Sequence, residues 1–361
     1  MRKNLFATTP GIIIVGAVIG LIAVWLQKLG NPANMGICVA CFERDVAGGL
    51  GLHRAAIVQY LRPEIMGLVL GSLAAAIATR EFKPRGGSAP IVRFVLGMIA
   101  AMGALVFLGC PWRAILRLAG GDGNAILGLA GLATGIWFGT LFFKKGYSLG
   151  RSNSQSVVSG ALFPVIAVCL LLLYLIFPQI PDQPQSGPLF YSVKGPGSQH
   201  APFIASLGLA FIIGIFAQRS RFCTMGAFRD LFLFRYTHLF LGLAAMFAAA
   251  FIANALTGGL KFGFEGQPVA HSDFLWNYLG MVTAGLAFAL AGGCPGRQLF
   301  MAGEGDSDAG IFALGMLVGA AMAHNLGTVS SGTGIGVYGM QATIIGFAVC
   351  LIIGFVHSKK A

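Results

Sequence analysis

Ten runs of mostly apolar residues follow one another along this chain, at residues 11–29, 65–80, 91–109, 124–143, 157–177, 201–217, 238–257, 276–292, 308–326 and 336–356. A helix needs about 20 such residues to cross the hydrocarbon core of a bilayer. Lipid offers no partners to backbone N–H and C=O groups, so apolar runs of this kind are helical. The expected fold is an all-α polytopic membrane protein of about ten transmembrane helices. Composition agrees: 56% of the residues are hydrophobic and only 10% are charged, against roughly a quarter charged in soluble domains. The opening "MRKNLFATTPGIIIVGAVIGLIAVWLQKL" starts like a signal peptide, but its apolar run continues to Leu29 without a small-residue cleavage pattern, so it is expected to remain as the first span. Lys and Arg number 24 against 12 acidic residues. With the N-terminus inside, most of these basic residues fall on the inner side, which places both termini in the cytoplasm. In so apolar a chain the surplus reports loop orientation and argues against a nucleic-acid partner.

The chain is also duplicated. Between "GICVACFERD" and "SRFCTMGAFRD", Cys38 and Cys223, Arg44 and Arg229, and Asp45 and Asp230 share an offset of 185. Between "GCPWRAILRLAGGDGNA" and "GCPGRQLFMAGEGDSDA", Cys110 and Cys294, Arg113 and Arg297, and Asp122 and Asp306 share an offset of 184. Each half has five spans, with one motif after its first span and the other after its third. An odd number of spans inverts the second half relative to the first. The expected organisation is a first inverted repeat over residues 1–177, a Pro-rich connection "PQIPDQPQSGPLFYSVKGPGSQH" over 178–200, and a second repeat over 201–361. In transporters of this plan, broken helices from the two halves meet near the bilayer midplane.

Gly-Cys-Pro-x-Arg places a proline where a helix starts, so Cys110 and Cys294 stand where one helix stops and a short one begins. Such a start presents unpaired N–H groups and the positive end of a helix dipole, a setting that favours an anion. Arg113 and Arg297 add positive charge on the first turn. A single Gly-Cys-Pro reads most simply as a helix break with a small buried cysteine; its duplication favours a pathway role. Arg44-Asp45 and Arg229-Asp230 are expected to act as ion pairs that hold the dipping segments in place. His324, beside Asn325 in an apolar stretch, is expected to be a hydrogen-bonded structural residue, and Cys169 and Cys350 are expected to be packing residues.

Cys41 corresponds by offset to Gly226, so the Cys-x-x-Cys of the first half is not repeated in the second. Seven cysteines, an odd number lying mostly in apolar surroundings, point to thiols working singly rather than to a disulfide framework. No second Cys-x-x-Cys or spaced His pair completes a zinc site. A line of thiolates would repel an anion, whereas neutral thiols, each a weak donor and weak acceptor with a polarisable sulfur, could pass along a sulfur- or selenium-bearing anion. No P-loop, His-Glu-x-x-His, nucleophile elbow or dinucleotide fingerprint is present, so the chain is read as a transporter or channel and not an enzyme.

The paired segments "GICVACFERD" with "RFCTMGAFRD" and "GCPWR" with "GCPGR" resemble those of the YeeE/YedE sulfur-transport membrane proteins over nearly the whole chain. The extended "NMGICVACFERDVAGGLGLHRAAIVQYLRPEI" is most similar to the YedE-like branch associated with selenium metabolism. The resemblance implies an hourglass-shaped protein of the bacterial inner membrane, with inverted halves whose short re-entrant helices meet at the centre. It implies import of a small sulfur- or selenium-containing species, such as a thiosulfate-like anion, past Cys38, Cys110, Cys223 and Cys294. It implies no cofactor, no resident metal, and a small cytosolic sulfur-carrier protein as partner. Two alternatives stand beside this reading. A membrane thiol oxidoreductase or sulfur/selenium transferase would use Cys38 and Cys41 as its reactive pair, and a soft-metal transporter would use the same thiols as thiolates.

Overall fold

The computed structural model describes residues 5–358; Arg2, Lys3, Lys359 and Lys360, which enter the orientation argument, lie outside them. The described residues form fourteen α-helices. In the first half these are α1 (Thr9–Lys28), α2 (Val39–Gly49), α3 (Pro63–Ala78), α4 (Pro90–Phe107), α5 (Pro111–Ala119), α6 (Asn124–Lys144) and α7 (Val157–Ile176). In the second they are α8 (Phe203–Ser220), α9 (Thr224–Phe234), α10 (His238–Leu256), α11 (Phe274–Ala291), α12 (Pro295–Gly303), α13 (Ser307–Asn325) and α14 (Gly339–Val356). The order long, short, long, long, short, long, long occurs twice. The short helices match in length, 11 residues for α2 and α9 and 9 residues for α5 and α12. Nine helical segments among the described residues are long and apolar enough to cross a membrane, and α3, at 16 residues, is a shorter apolar helix. The protein is therefore a multi-pass, all-helical membrane protein.

The two sequence halves pack through each other. The principal partner of α1 is α10 and that of α3 is α8, while α4 packs on α13 and α6 on α11. Because α8 is the counterpart of α1 and α10 that of α3, exchanging the halves converts each pairing into another. The pair α4 and α11 maps onto itself and touches directly. At that crossing Gly103 and Gly280 face each other: a Cβ on Gly103 would come 2.7 Å from the Gly280 carbonyl oxygen, and one on Gly280 2.9 Å from that of Gly103. Close backbone approach of this kind is how helices associate where lipid provides no hydrophobic drive. Gly103→Leu is expected to destabilise the protein by about 1–3 kcal/mol through overpacking, read as an earlier loss of the monodisperse peak after heating in detergent.

The Pro-rich connection is docked rather than free. A short hairpin pairs Gln185–Ser186 with Leu189–Phe190. Beyond it, Ser192 N–H donates to the Gln59 carbonyl at 2.8 Å, Gln59 N–H donates to Ser192 Oγ at 2.8 Å, and His200 stacks on Tyr60 with centroids 4.3 Å apart.

Candidate functional site

The breaks that begin the four short helices are built alike. Cys38, Cys110, Cys223 and Cys294 are the N-cap residues of α2, α5, α9 and α12, all with extended backbone. The duplicated positions agree closely, with φ/ψ of −153°/106° at Cys38 against −156°/118° at Cys223, and −79°/173° at Cys110 against −70°/164° at Cys294. Cys38 and Cys223 cap their helices through sulfur: Cys41 N–H donates to Cys38 Sγ at 3.4 Å, and Gly226 N–H to Cys223 Sγ at 3.2 Å. Before α5 and α12 the chain turns through left-handed backbone at Leu108 (φ 61°) and Gly292 (φ 88°), which stops the preceding span. Pro111 and Pro295 then start the new helix, as their missing N–H allows.

Folding brings the four thiols together in two pairs, each joining one motif type to the other. The side chains of Cys38 and Cys110 lie beside each other, as do those of Cys223 and Cys294. Cys110 N–H also donates to Cys38 Sγ at 3.5 Å. The backbone N–H groups of Ala40 and Arg113 face the Cys110 sulfur, and those of Thr224 and Arg297 face the Cys294 sulfur, with no side-chain cap closed at either helix start. Each pair thus sits among the free N–H groups of two short helix starts, where partial positive charge collects. All four cysteines are buried, Cys223 the least so at 6% exposure.

Around this common plan the halves differ. In the first, Cys41 lies against Cys38, and Arg113 Nη1 approaches Cys41 Sγ at 3.7 Å. Arg113 is fully buried and donates to the carbonyls of Asn34, Leu108, Pro268 and Val269. In the second half the arginine turns outward. Arg297 pairs with Glu304 at 3.3 Å, and Glu304 also receives Arg221 at 2.8 Å and Arg85 at 3.5 Å. Arg221 and Arg219 continue this network to Glu81; although partial burial works against it, hydrogen bonds from Arg219 and Gln218 and the charge of Arg221 hold the Glu81 carboxyl below its usual value.

The Arg-Asp motifs are likewise unequal. Asp45 accepts Arg44 at 2.7 Å and Arg62 at 2.7 Å, with all three side chains buried. Arg62 goes on to the carbonyls of Gln199 and Pro196 in the connection. Arg229 pairs with Asp230 at 2.7 Å in a more exposed setting. His324 stacks on His53 with centroids 4.3 Å apart, and its Nε2 has no hydrogen-bond partner among the described residues, unlike the hydrogen-bonded residue expected from sequence. Cys350 is buried as a packing residue should be, whereas Cys169 is exposed on α7. A thiol on a single apolar run carries no sign of which side faces the core.

Sequence reasoning missed the residue between the two thiol pairs. Trp112 follows Pro111 on α5 and is buried, with its ring centroid 5.8 Å from Phe222, the neighbour of Cys223, and 5.9 Å from Phe300 on α12. Its counterpart by the 184 offset is Gly296, and a Cβ there would come 3.1 Å from Cζ2 of Trp112. The large side chain of one half fills the space its partner leaves open. The signal was visible as the most unequal pair in "GCPWR" and "GCPGR".

Comparison with known proteins places these features. The family described as Sulphur transport matches residues 219–354, which take in α9 and α12 with their capping cysteines. A thiosulfate transporter of Spirochaeta thermophila, TsuA, is 32% identical over 112 residues, 31% of this chain and 33% of the relative. The matched part spans about a third of that relative's length.

Proposed function

We propose that this chain, which is similar over residues 219–354 to the family described as Sulphur transport, is a YeeE/YedE-type transporter that imports a small sulfur-containing anion, of the thiosulfate kind or its selenium analogues, through the two thiol pairs in turn. The observation that carries this reading is the pairing itself: four helix-capping cysteines meet two by two, each pair within the N–H groups of two helix starts. Such a site attracts an anion without meeting it with a fixed negative charge, since neutral thiols donate weakly to sulfur or oxygen. The four thiols are buried, so each polar contact there counts for more than it would in solvent.

With the N-terminus inside, α4 runs outward and α11 inward, so Cys38 and Cys110 receive the anion from the outer side. Cys223 and Cys294 release it inward, past Arg297 and its ion network. The inverted arrangement of residues 1–177 and 201–361 makes the two stations equivalent in plan. The bacterial inner membrane is the setting this reading requires, and a small cytosolic sulfur-carrier protein would collect what emerges.

A second reading is favoured by the contacts of Cys41 with Cys38 and Arg113: a reactive dithiol in which one thiolate attacks the outer sulfur of a thiosulfate-type anion, forming a persulfide as the substrate S–S bond breaks and sulfite leaves. Purified protein in proteoliposomes tests both. Uptake of radiolabelled thiosulfate, with selenite as a second probe, is expected to be saturable and to be abolished by a membrane-permeant thiol alkylator, and Cys41→Ala is expected to retain it. Unchanged uptake after full alkylation overturns the thiol passage, and loss of uptake in Cys41→Ala turns the case to the dithiol.

A further inference from the structure

Two buried donors beside the second thiol pair have nothing to donate to. Trp112 is 1% exposed and its Nε1 finds no hydrogen-bond partner among the described residues. Thr224, the first residue of α9, is 0% exposed and its Oγ1 is equally without a partner. A buried indole N–H normally finds a partner, and leaving one unpaired is costly. Both residues adjoin the second thiol pair, Thr224 next to Cys223 in the chain and Trp112 against Gly296, two residues after Cys294. The backbone N–H of Thr224 faces the Cys294 sulfur. The ring atoms of Trp112 nearest the position of the missing Cβ of Gly296 are Cζ2, Cε2 and Cη2, at 3.1, 3.4 and 3.5 Å, and Cε2 is the carbon bonded to Nε1. The indole therefore lies against the first turn of α12, with the carbon that carries its N–H in the contact; the leading N–H groups of α12 lack helical partners, and its N-cap Cys294 gives no side-chain cap.

The first thiol pair has no such provision. Val39 stands where Thr224 does in the second half, by the 185 offset, and an indole reaches from α5 to α12 with only Gly296 to answer it. The asymmetry separates two chemistries. Thiols suit the soft, polarisable end of a chalcogen anion, whereas N–H and O–H groups are hard donors that suit oxygen.

We propose that the indole N–H of Trp112 and the hydroxyl of Thr224 bind an oxygen of the passing anion at the start of α12, while the thiols of Cys223 and Cys294 take its sulfur or selenium. The station thereby selects oxyanions carrying both kinds of end over monatomic chalcogenide. This rests on the transport reading above and adds a specificity to it. Gly296 is what lets the indole reach: any side chain there would displace the ring and with it the donor.

The test uses the full chain in two formats. Trp112→Phe keeps most of the ring and removes the donor, and Thr224→Val keeps the shape and removes the hydroxyl. Each is expected to raise the thiosulfate concentration for half-maximal uptake about tenfold, as loss of one hydrogen bond to an anion does, with maximal uptake much less affected. In a protein whose only tryptophan is Trp112, made with Trp25→Phe, Trp137→Phe and Trp276→Phe, thiosulfate is expected to change the emission in a saturable way. That measurement stands even if Trp112→Phe fails to fold. If wild-type protein takes up thiosulfate but both variants stay within twofold of it, or the single-tryptophan emission does not respond, the oxyanion station is wrong and transport stands. If wild-type protein neither takes up nor binds thiosulfate or selenite, both readings fall together.

Discussion

Asp45→Ala is expected to cost about 3–5 kcal/mol, because it removes one partner of a buried ion pair and leaves the other charge uncompensated. Here two charges are left. Arg44 and Arg62 both point at Asp45 at 2.7 Å, and the three side chains are 0–2% exposed. Arg62 also holds the carbonyls of Gln199 and Pro196, so the loss would spread from α2 into the connection between the halves. Asp230→Ala is the control. Arg229 there is 37% exposed, and an exposed pair contributes at most about 1 kcal/mol. Heating detergent-solubilised protein and following the monodisperse fraction should show a large downward shift for Asp45→Ala and a small one for Asp230→Ala. Equal shifts would mean that Asp45 holds nothing its repeat counterpart does not.

Cysteine substitutions should be non-additive within a pair and multiplicative between pairs. Cys110→Ala and Cys294→Ala are each expected to lower thiosulfate uptake about tenfold, the worth of one hydrogen bond inside a dry passage. Cys38→Ala with Cys110→Ala should then be little worse than the more damaging of the two alone, since both remove the same thiol-to-thiol contact. Cys110→Ala with Cys294→Ala should approach a hundredfold, because residues in separate clusters act independently. Initial uptake rates at equal amounts of inserted protein measure both. Additivity within the pair would show that the thiols serve the anion separately, and strong coupling between pairs would show that the two stations are one.

The duplicated motifs made much of this architecture readable. Offsets of 185 and 184 marked four helix starts, and four short helices capped by cysteine stand there, of equal length in each half. Which thiols would meet was not readable. Sequence symmetry matches Cys38 with Cys223, whereas space pairs Cys38 with Cys110, and only the meeting of the starts of α2 and α5, 72 residues apart in the chain, decides between them. Arg62 escaped notice because its target lies 17 residues back and Phe247 occupies its repeat position. Trp112 acquires meaning only when α12 is brought against α5. The Pro-rich connection reads as a linker, and its docking onto residues 57–62 depends on carbonyls, which composition does not reveal.

The reciprocal packing of the two halves has a consequence for how the molecule is made. During synthesis the membrane receives α1 long before α10, and α3 long before α8. Until residue 256 has been threaded in, the close-packing face of α1 is covered only by lipid or by whatever insertion factor attends it, and the Gly16 backbone that will lie against Gly242 waits with no partner. The first five spans cannot mature as a unit on their own. The surroundings of Cys38 are complete only when α13, the principal partner of α2, arrives near the end of the chain.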